Sequence, residues 1–242
     1  NYLGNARRHH RNIMEGNFLT LHSTATVLVF FVDSSRFMLY GSGAFARVVS
    51  LDIADSILKD LEIVGKKEFI STIDTWVSQI RIPVSDMVIV LSERTYFFKD
   101  GIGTKEEIEK ETQAFTDSVP FENVKTKRYS TSQGYRIVAI NDEFVAAIID
   151  ALRPHDISVV AIVPSFLLES HRDKQALDPD MGKYVIGHIE QLKPMSIVPP
   201  ERLRETASKE VEVFAKKNQR LVVFLGIFVV LIIVLAILLL LQ

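Results

Sequence analysis

The chain has 242 residues, with 28 Lys and Arg against 30 Asp and Glu, a net charge of −2 and no cysteine. That balance creates no overall field to draw nucleic acid or anionic lipid, so no nucleic-acid partner is expected. The absence of cysteine excludes a disulfide framework and fits a reducing compartment.

Residues 1–17 carry the basic cluster Arg7, Arg8, His9, His10, Arg11 and read as a basic N-terminal tail or helix, solvated by default, that could touch lipid headgroups. Strands are expected at Phe18–His22, Thr26–Val32, Arg36–Tyr40 and Phe45–Leu51, broken by Asp33-Ser34-Ser35 and Gly41-Ser42-Gly43. Such closely spaced strands suggest an antiparallel meander. Phe69, Ile73, Trp76, Val77 and Ile80 fall at helical spacing, and Pro83 ends that helix. The fully apolar run Met87–Leu91 has the length of a central strand.

A loop is expected at Lys99–Thr104. Thr104 and Glu107 have capping-box spacing, opening a helix over Lys105–Ser118 that stops before Pro120. Strands Val124–Tyr129 and Tyr135–Ile140 flank a polar turn. Asn141 or Asp142 caps a helix whose stripe is Val145, Ile148, Ile149 and Leu152. Ile157–Val163 is a further strand, closed by Pro164. Residues 170–183 are polar and read as loop, and Tyr184–Ile189 as a short strand. Pro199-Pro200 precedes a charged juxtamembrane helix over 201–220, with Leu203, Ala207, Val211 and Phe214 on one stripe.

Residues 221–241 contain no charged side chain. About 20 apolar residues in a helix match the ~30 Å hydrocarbon core and satisfy their own backbone groups there. A buried core helix is the alternative, but such helices rarely lack a polar face over this length. Lys209, Lys216, Lys217 and Arg220 precede the span, which places the N-terminal side in the cytoplasm. The expectation is a single-pass inner-membrane protein, either tail-anchored or a fragment whose outer part is missing.

Nothing points to catalysis. The histidines are scattered apart from His9-His10, which do not face one another on a helix, so no metal site is expected. No GxSxG signature is present. Gly41-Ser42-Gly43 and Gly101-Ile102-Gly103 lack the following Lys-Ser/Thr of a phosphate loop and read as plain turns.

The order of three strands, a helix and a strand, then a helix–strand–strand–helix–strand insert, resembles the first half of actin-like (RNase H-like) proteins. Within that group the chain resembles PilM of type IV pili and the cytoplasmic part of the type II secretion protein GspL. The resemblance rests on Ile108–Ser165, with EIEKETQAFTDSVPFENV (107–124) overlapping its start, then YRIVAINDEFVAAIIDALRPHDISVVAIVPS. It implies an α/β fold: half of an actin-like fold at 18–103 and an inserted small α+β subdomain with its return strand at 104–169. A linker at 170–200 and a single C-terminal transmembrane helix would follow. Met195-Ser196-Ile197-Val198-Pro199, followed by an Arg/Glu-rich stretch and a span, resembles the start of the PilN protein, a segment that PilM holds in a groove. The chain thus looks like a PilM-type domain joined to a PilN-type start. Met195, Ser196, Ile197, Val198 and Pro199 are expected to dock as an extended peptide between the two lobes, or onto a neighbouring copy as a swapped homodimer. An ordinary strand end packed on the domain is the simpler alternative.

In ATP-binding actin relatives the first two strands enclose a loop like Asp-Ile-Gly-Ser-Ser. The equivalent here is read as Thr20-Leu21-His22-Ser23-Thr24, a degenerate phosphate turn with Thr20 for the aspartate and His22 for the glycine. A second actin-like half has no room between Ser165 and Pro194. The resemblance therefore implies no cofactor and no enzyme. It implies a non-catalytic membrane-anchored scaffold whose partners are pilus or secretion assembly proteins. A residual actin-like nucleotide-binding protein and a tail-anchored adaptor unrelated to pili are the alternatives.

Overall fold

In this computed structural model the structure describes residues 26–203. The tail at 1–17, the strand and turn expected at 18–24, most of the juxtamembrane helix and the span at 221–241 lie outside the described residues. Among the described residues, no helix is long and apolar enough to cross a membrane.

The described chain is a mixed α/β fold built on two sheets. The larger holds β1 (Thr26–Val32), β2 (Arg36–Gly41), β3 (Val48–Asp52), β6 (Ser85–Leu91) and β10 (Ile157–Pro164) in the order β10-β6-β1-β2-β3. β1, β6 and β10 run parallel, while β2 is antiparallel to both of its neighbours, β1 and β3. Residues 97–101, expected to begin a loop at Lys99, instead form strand β7 (Phe97–Gly101), paired with β9 (Gly134–Asn141). β9 also pairs with β8 (Val124–Thr131), giving a three-stranded sheet in the order β7-β9-β8. A two-residue-per-strand hairpin, β4 (Leu58–Lys59) and β5 (Glu62–Ile63), links β3 to the first helix.

Both faces of the main sheet are covered, which is why β1 and β6 read as nearly continuous apolar runs. Leu28, Phe30, Val32, Phe37, Leu39, Met87, Ile89 and Leu91 face helices α1 (Lys66–Ile80) and α3 (Asp142–Leu152). Phe30, Phe37, Phe69, Trp76 and Phe144 pack there with ring centroids 5.5–6.3 Å apart. Val138, Ala139 and Ile140 of β9 belong to that same core, so the two sheets share it. Helix α2 (Lys105–Ser118) buries no residue fully. Its capping box is present, with the Thr104 side chain accepting from Glu107 N and Glu107 accepting from Thr104 N.

Val29, Phe31, Met38, Tyr40, Val88 and Val90 line the opposite face. Residues 170–183 are expected as loop and Tyr184–Ile189 as a short strand. The structure corrects both: Pro179–Gly187 is helix α4, followed by the short α5 (Ile189–Leu192). Asp178 starts α4 by accepting from Met181 N at 2.8 Å, and Met181 and Val185 turn onto the sheet. Gly182 lets the helix lie directly on the Tyr40 ring, where a Cβ would clash.

Candidate functional site

Two polar constellations stand out, and they lie on either side of the end of β10. The first is at the carboxyl ends of β1, β6 and β10, the place where open α/β sheets bind ligands. Asp33 follows β1 in the tight turn to β2, closed by Asp33 N donating to Arg36 O at 3.0 Å. It is 2% exposed, as is Ser92 at the end of β6. Ser92 Oγ donates to Asp33 Oδ1 at 2.6 Å, and Arg94 Nε donates to the same oxygen at 2.9 Å. Arg94 Nη2 also donates to Asp33 Oδ2. Ser165, at the end of β10, is 1% exposed and lies 3.4 Å from the Tyr96 hydroxyl. Burial is the main reason the Tyr96 hydroxyl is held above its usual range. This carboxylate is therefore clamped by a guanidinium fork on one side and a hydroxyl on the other. Sequence reading treated Asp33-Ser34-Ser35 as a plain turn. The available signal was an aspartate placed directly after a seven-residue apolar strand.

The second constellation is the segment after α5. Met195 closes a 3-10 turn at Lys193–Met195, and Ile197 and Val198 lie in a bend, so the segment is turned here and not the extended peptide expected from the sequence. Ile197 N donates to Ile162 O at 2.8 Å, and Ile162 N donates to Ser196 Oγ at 3.0 Å. Both groups lie on the side of β10 away from β6, so the segment covers the sheet's edge for one residue pair. Ser196 Oγ donates onward to Val198 O at 2.7 Å, which turns the chain. Ile197 and Val198 are 3% and 2% exposed and belong to the shared core, while Met195 is 42% exposed.

β8 of the small sheet reaches the same segment. Lys127 and Tyr129 alternate onto one face of that strand. Lys127 Nζ donates to Ser196 O at 2.6 Å and to Pro194 O at 3.1 Å, and the Tyr129 hydroxyl donates to Met195 O at 3.1 Å. Burial lowers the Lys127 ammonium from its ordinary range and, with the charge of Tyr96, raises the Tyr129 hydroxyl well above its own. The Tyr129 ring meets Phe166 edge-on at 5.3 Å, and Arg136 sits over Phe98 and Phe166 at 4.2 and 4.8 Å. Arg202 then pairs with both oxygens of Asp142 at 2.9 and 2.7 Å as the chain turns helical beside α3.

Of the residues singled out from sequence, Met195, Ser196, Ile197, Val198 and Pro199 lie together in this second constellation. Thr20, His22, Ser23 and Thr24 lie outside the described residues. Lys127 and Tyr129 were missed, because alternation on a strand does not say what the strand faces. Among the described residues no group of His, Asp and Glu is arranged to hold a metal ion.

No protein-family description and no curated protein matches the chain. Among solved structures it is similar to a chain titled as a PilM-PilN type IV pilus biogenesis complex, at 16% identity and a TM-score of 0.41, covering 59% of this chain and 48% of that one. It is also similar to the cytoplasmic domain of EpsL, an inner membrane component of the type II secretion system of Vibrio cholerae. That match has 15% identity and a TM-score of 0.36, covering 60% of this chain and 59% of that one. A third is a Bacteroides thetaiotaomicron protein with an actin-like ATPase fold and unknown function, at 11% identity and a TM-score of 0.37, covering 61% of this chain and 56% of that one. The chain thus spans between 48% and 59% of the length of these structures.

Proposed function

We propose that this chain is a non-catalytic scaffold of a type IV pilus or type II secretion assembly, tethered at the cytoplasmic face of the inner membrane by residues 221–241. In this reading the described residues are the first half of an actin-like fold with an inserted α+β lobe, and residues 195–199 are a built-in docking peptide. The observation that carries it is the seat of that peptide. Its carbonyls at 195 and 196, and that of the preceding Pro194, are taken by β8, and its backbone at 197 by β10. Burying Ile197 and Val198 contributes about 1.5–3 kcal/mol each. Pro194, Pro199 and Pro200 restrict the flanking backbone, which lowers the entropy lost on docking. Covalent attachment keeps the local concentration near ~1 mM, so modest contacts suffice.

The first constellation bears on the nucleotide-binding alternative. The turn between the first two strands of the described sheet is Asp33-Ser34-Ser35. The Asp33-Ser34-Ser35 turn contains no glycine to bring backbone N–H groups against a phosphate. Its carboxylate is engaged by Arg94 and Ser92, which compete with any metal-bound water for its lone pairs. Isothermal titration of the 1–215 fragment with Mg-ATP tests the reading. No heat of binding is expected up to millimolar nucleotide, and micromolar affinity would overturn the scaffold-only function.

A further inference from the structure

Among the described residues, four strands end the two sheets: β3 and β10 in the larger, β7 and β8 in the smaller. A free edge offers a row of N–H and C=O groups to any passing strand, and proteins guard it with charge, proline, a bulge or a cover. β10 is covered by Ser196 and Ile197. β8 carries Lys125, Lys127 and Arg128, and β7 carries Lys99 and Asp100. β3 reads Val48-Val49-Ser50-Leu51-Asp52, with a charge only at its end, no proline and an unbroken register against β2.

The register fixes which groups face outward. Ile53 N donates to Ser35 O at 2.8 Å, so Ile53 and, by alternation, Leu51 and Val49 bond inward to β2. Val48, Ser50 and Asp52 therefore direct N–H and C=O away from the sheet. Beside this edge Leu51 and the α1 residues Glu68, Thr72, Thr75, Trp76 and Gln79 line an open groove of about 410 Å³.

We propose that β3 pairs antiparallel with β3 of a second copy of this chain, about a two-fold axis at Ser50, joining two five-stranded sheets into one. A two-fold axis normal to the sheet keeps each face on its own side, so opposed residues must have like parity. Centring on Ser50 sets Ser50 against the partner's Ser50 and Val48 against the partner's Asp52. Those are the outward-directed residues, so each opposed pair exchanges two N–H···O bonds. Between them Val49 meets the partner's Leu51 on the groove side, covering the remaining exposed surface of two partly buried apolar pairs. Charge does not oppose the arrangement. Asp52 is already held by Arg36 at 2.5 Å and faces a valine, and among the described residues Glu68 is the one charged side chain lining the groove. The proposal rests on the sheet edge alone and stands apart from the assembly the protein serves.

The chain has no cysteine, so an introduced one is unique. In the full chain in detergent, Ser50→Cys places two thiols on directly opposed residues whose Cα atoms are about 5.5 Å apart, within reach of a short bis-maleimide, which does not need the closer Cβ approach of a disulfide. That cross-linker should give covalent dimer at least tenfold faster than for Asp52→Cys, whose two copies lie roughly 14 Å apart. Adding Val49→Lys should abolish the Ser50→Cys cross-link while circular dichroism stays unchanged. Equal rates at 50 and 52, or no dimer from Ser50→Cys, overturns the proposal. An edge filled instead by the chain's own N-terminal residues gives that same negative result.

Discussion

Asp33 sits at the rim of the main sheet with its side chain 3% exposed, yet Arg94 beside it is 54% exposed. A carboxylate so placed is tolerable only because two donors reach it. Arg94→Ala removes the fork and leaves the charge with Ser92 alone. We expect a loss of about 1.5–3 kcal/mol in urea unfolding, partly recovered by Asp33→Asn in the double variant. A loss below about 0.5 kcal/mol, the range of an ordinary surface change, would mean the pair is no more than a surface contact. Tyr129 offers a pH handle. Its hydroxyl is held far above its ordinary value, first by burial, so the folded state keeps the proton after the unfolded chain has lost it. Folding stability should therefore fall as pH rises above the unfolded value of about 10, and Tyr129→Phe should remove that part of the fall. Lys127 shifts in the opposite sense, downward by burial, and is common to both proteins, so it cancels in the difference. Identical stability–pH curves for parent and Tyr129→Phe between about pH 9 and 11 would contradict the assignment.

The elements legible in the sequence were those set by local chemistry. Thr26–Val32 and Met87–Leu91 announce themselves as apolar runs, and Thr104 with Glu107 as a capping box. Asn141, one of two candidate caps, is the one used, accepting from Glu143 N and Phe144 N at 3.0 and 3.2 Å. The elements missed were those that only tertiary contact defines. β7 is a strand because β9 pairs with it, since Phe97–Gly101 ends in Lys-Asp-Gly, which locally favours a turn. Tyr184-Val185-Ile186 reads as strand because its residues are β-branched or aromatic. Asp178-Pro179 before it is a helix-start signal, and the sheet face below supplies the burial. Gly182 is the contact point of α4, so Gly182→Ala should cost about 1–3 kcal/mol by pushing the helix off Tyr40, although alanine favours helix. Thermal unfolding checks this, and an unchanged or raised melting temperature would mean α4 can shift freely.

At the scale of the molecule, the two sheets are joined by more than chain connectivity. They share one apolar core, and the 194–198 segment is hydrogen-bonded to both, through β10 on one side and β8 on the other. The apolar pair Ile197-Val198 was visible in the sequence as β-branched residues in a polar, proline-flanked stretch. The receiving groups were not, because Lys127, Tyr129 and Ile162 come together only once the two sheets are assembled. The proposed docking of this segment is tested by limited proteolysis of the parent chain and of Ile197→Asp/Val198→Asp, following cleavage near residue 195. Cleavage is expected to be at least tenfold slower in the parent than in the variant, with both retaining their circular dichroism. Cleavage of the parent as fast as the variant would contradict it.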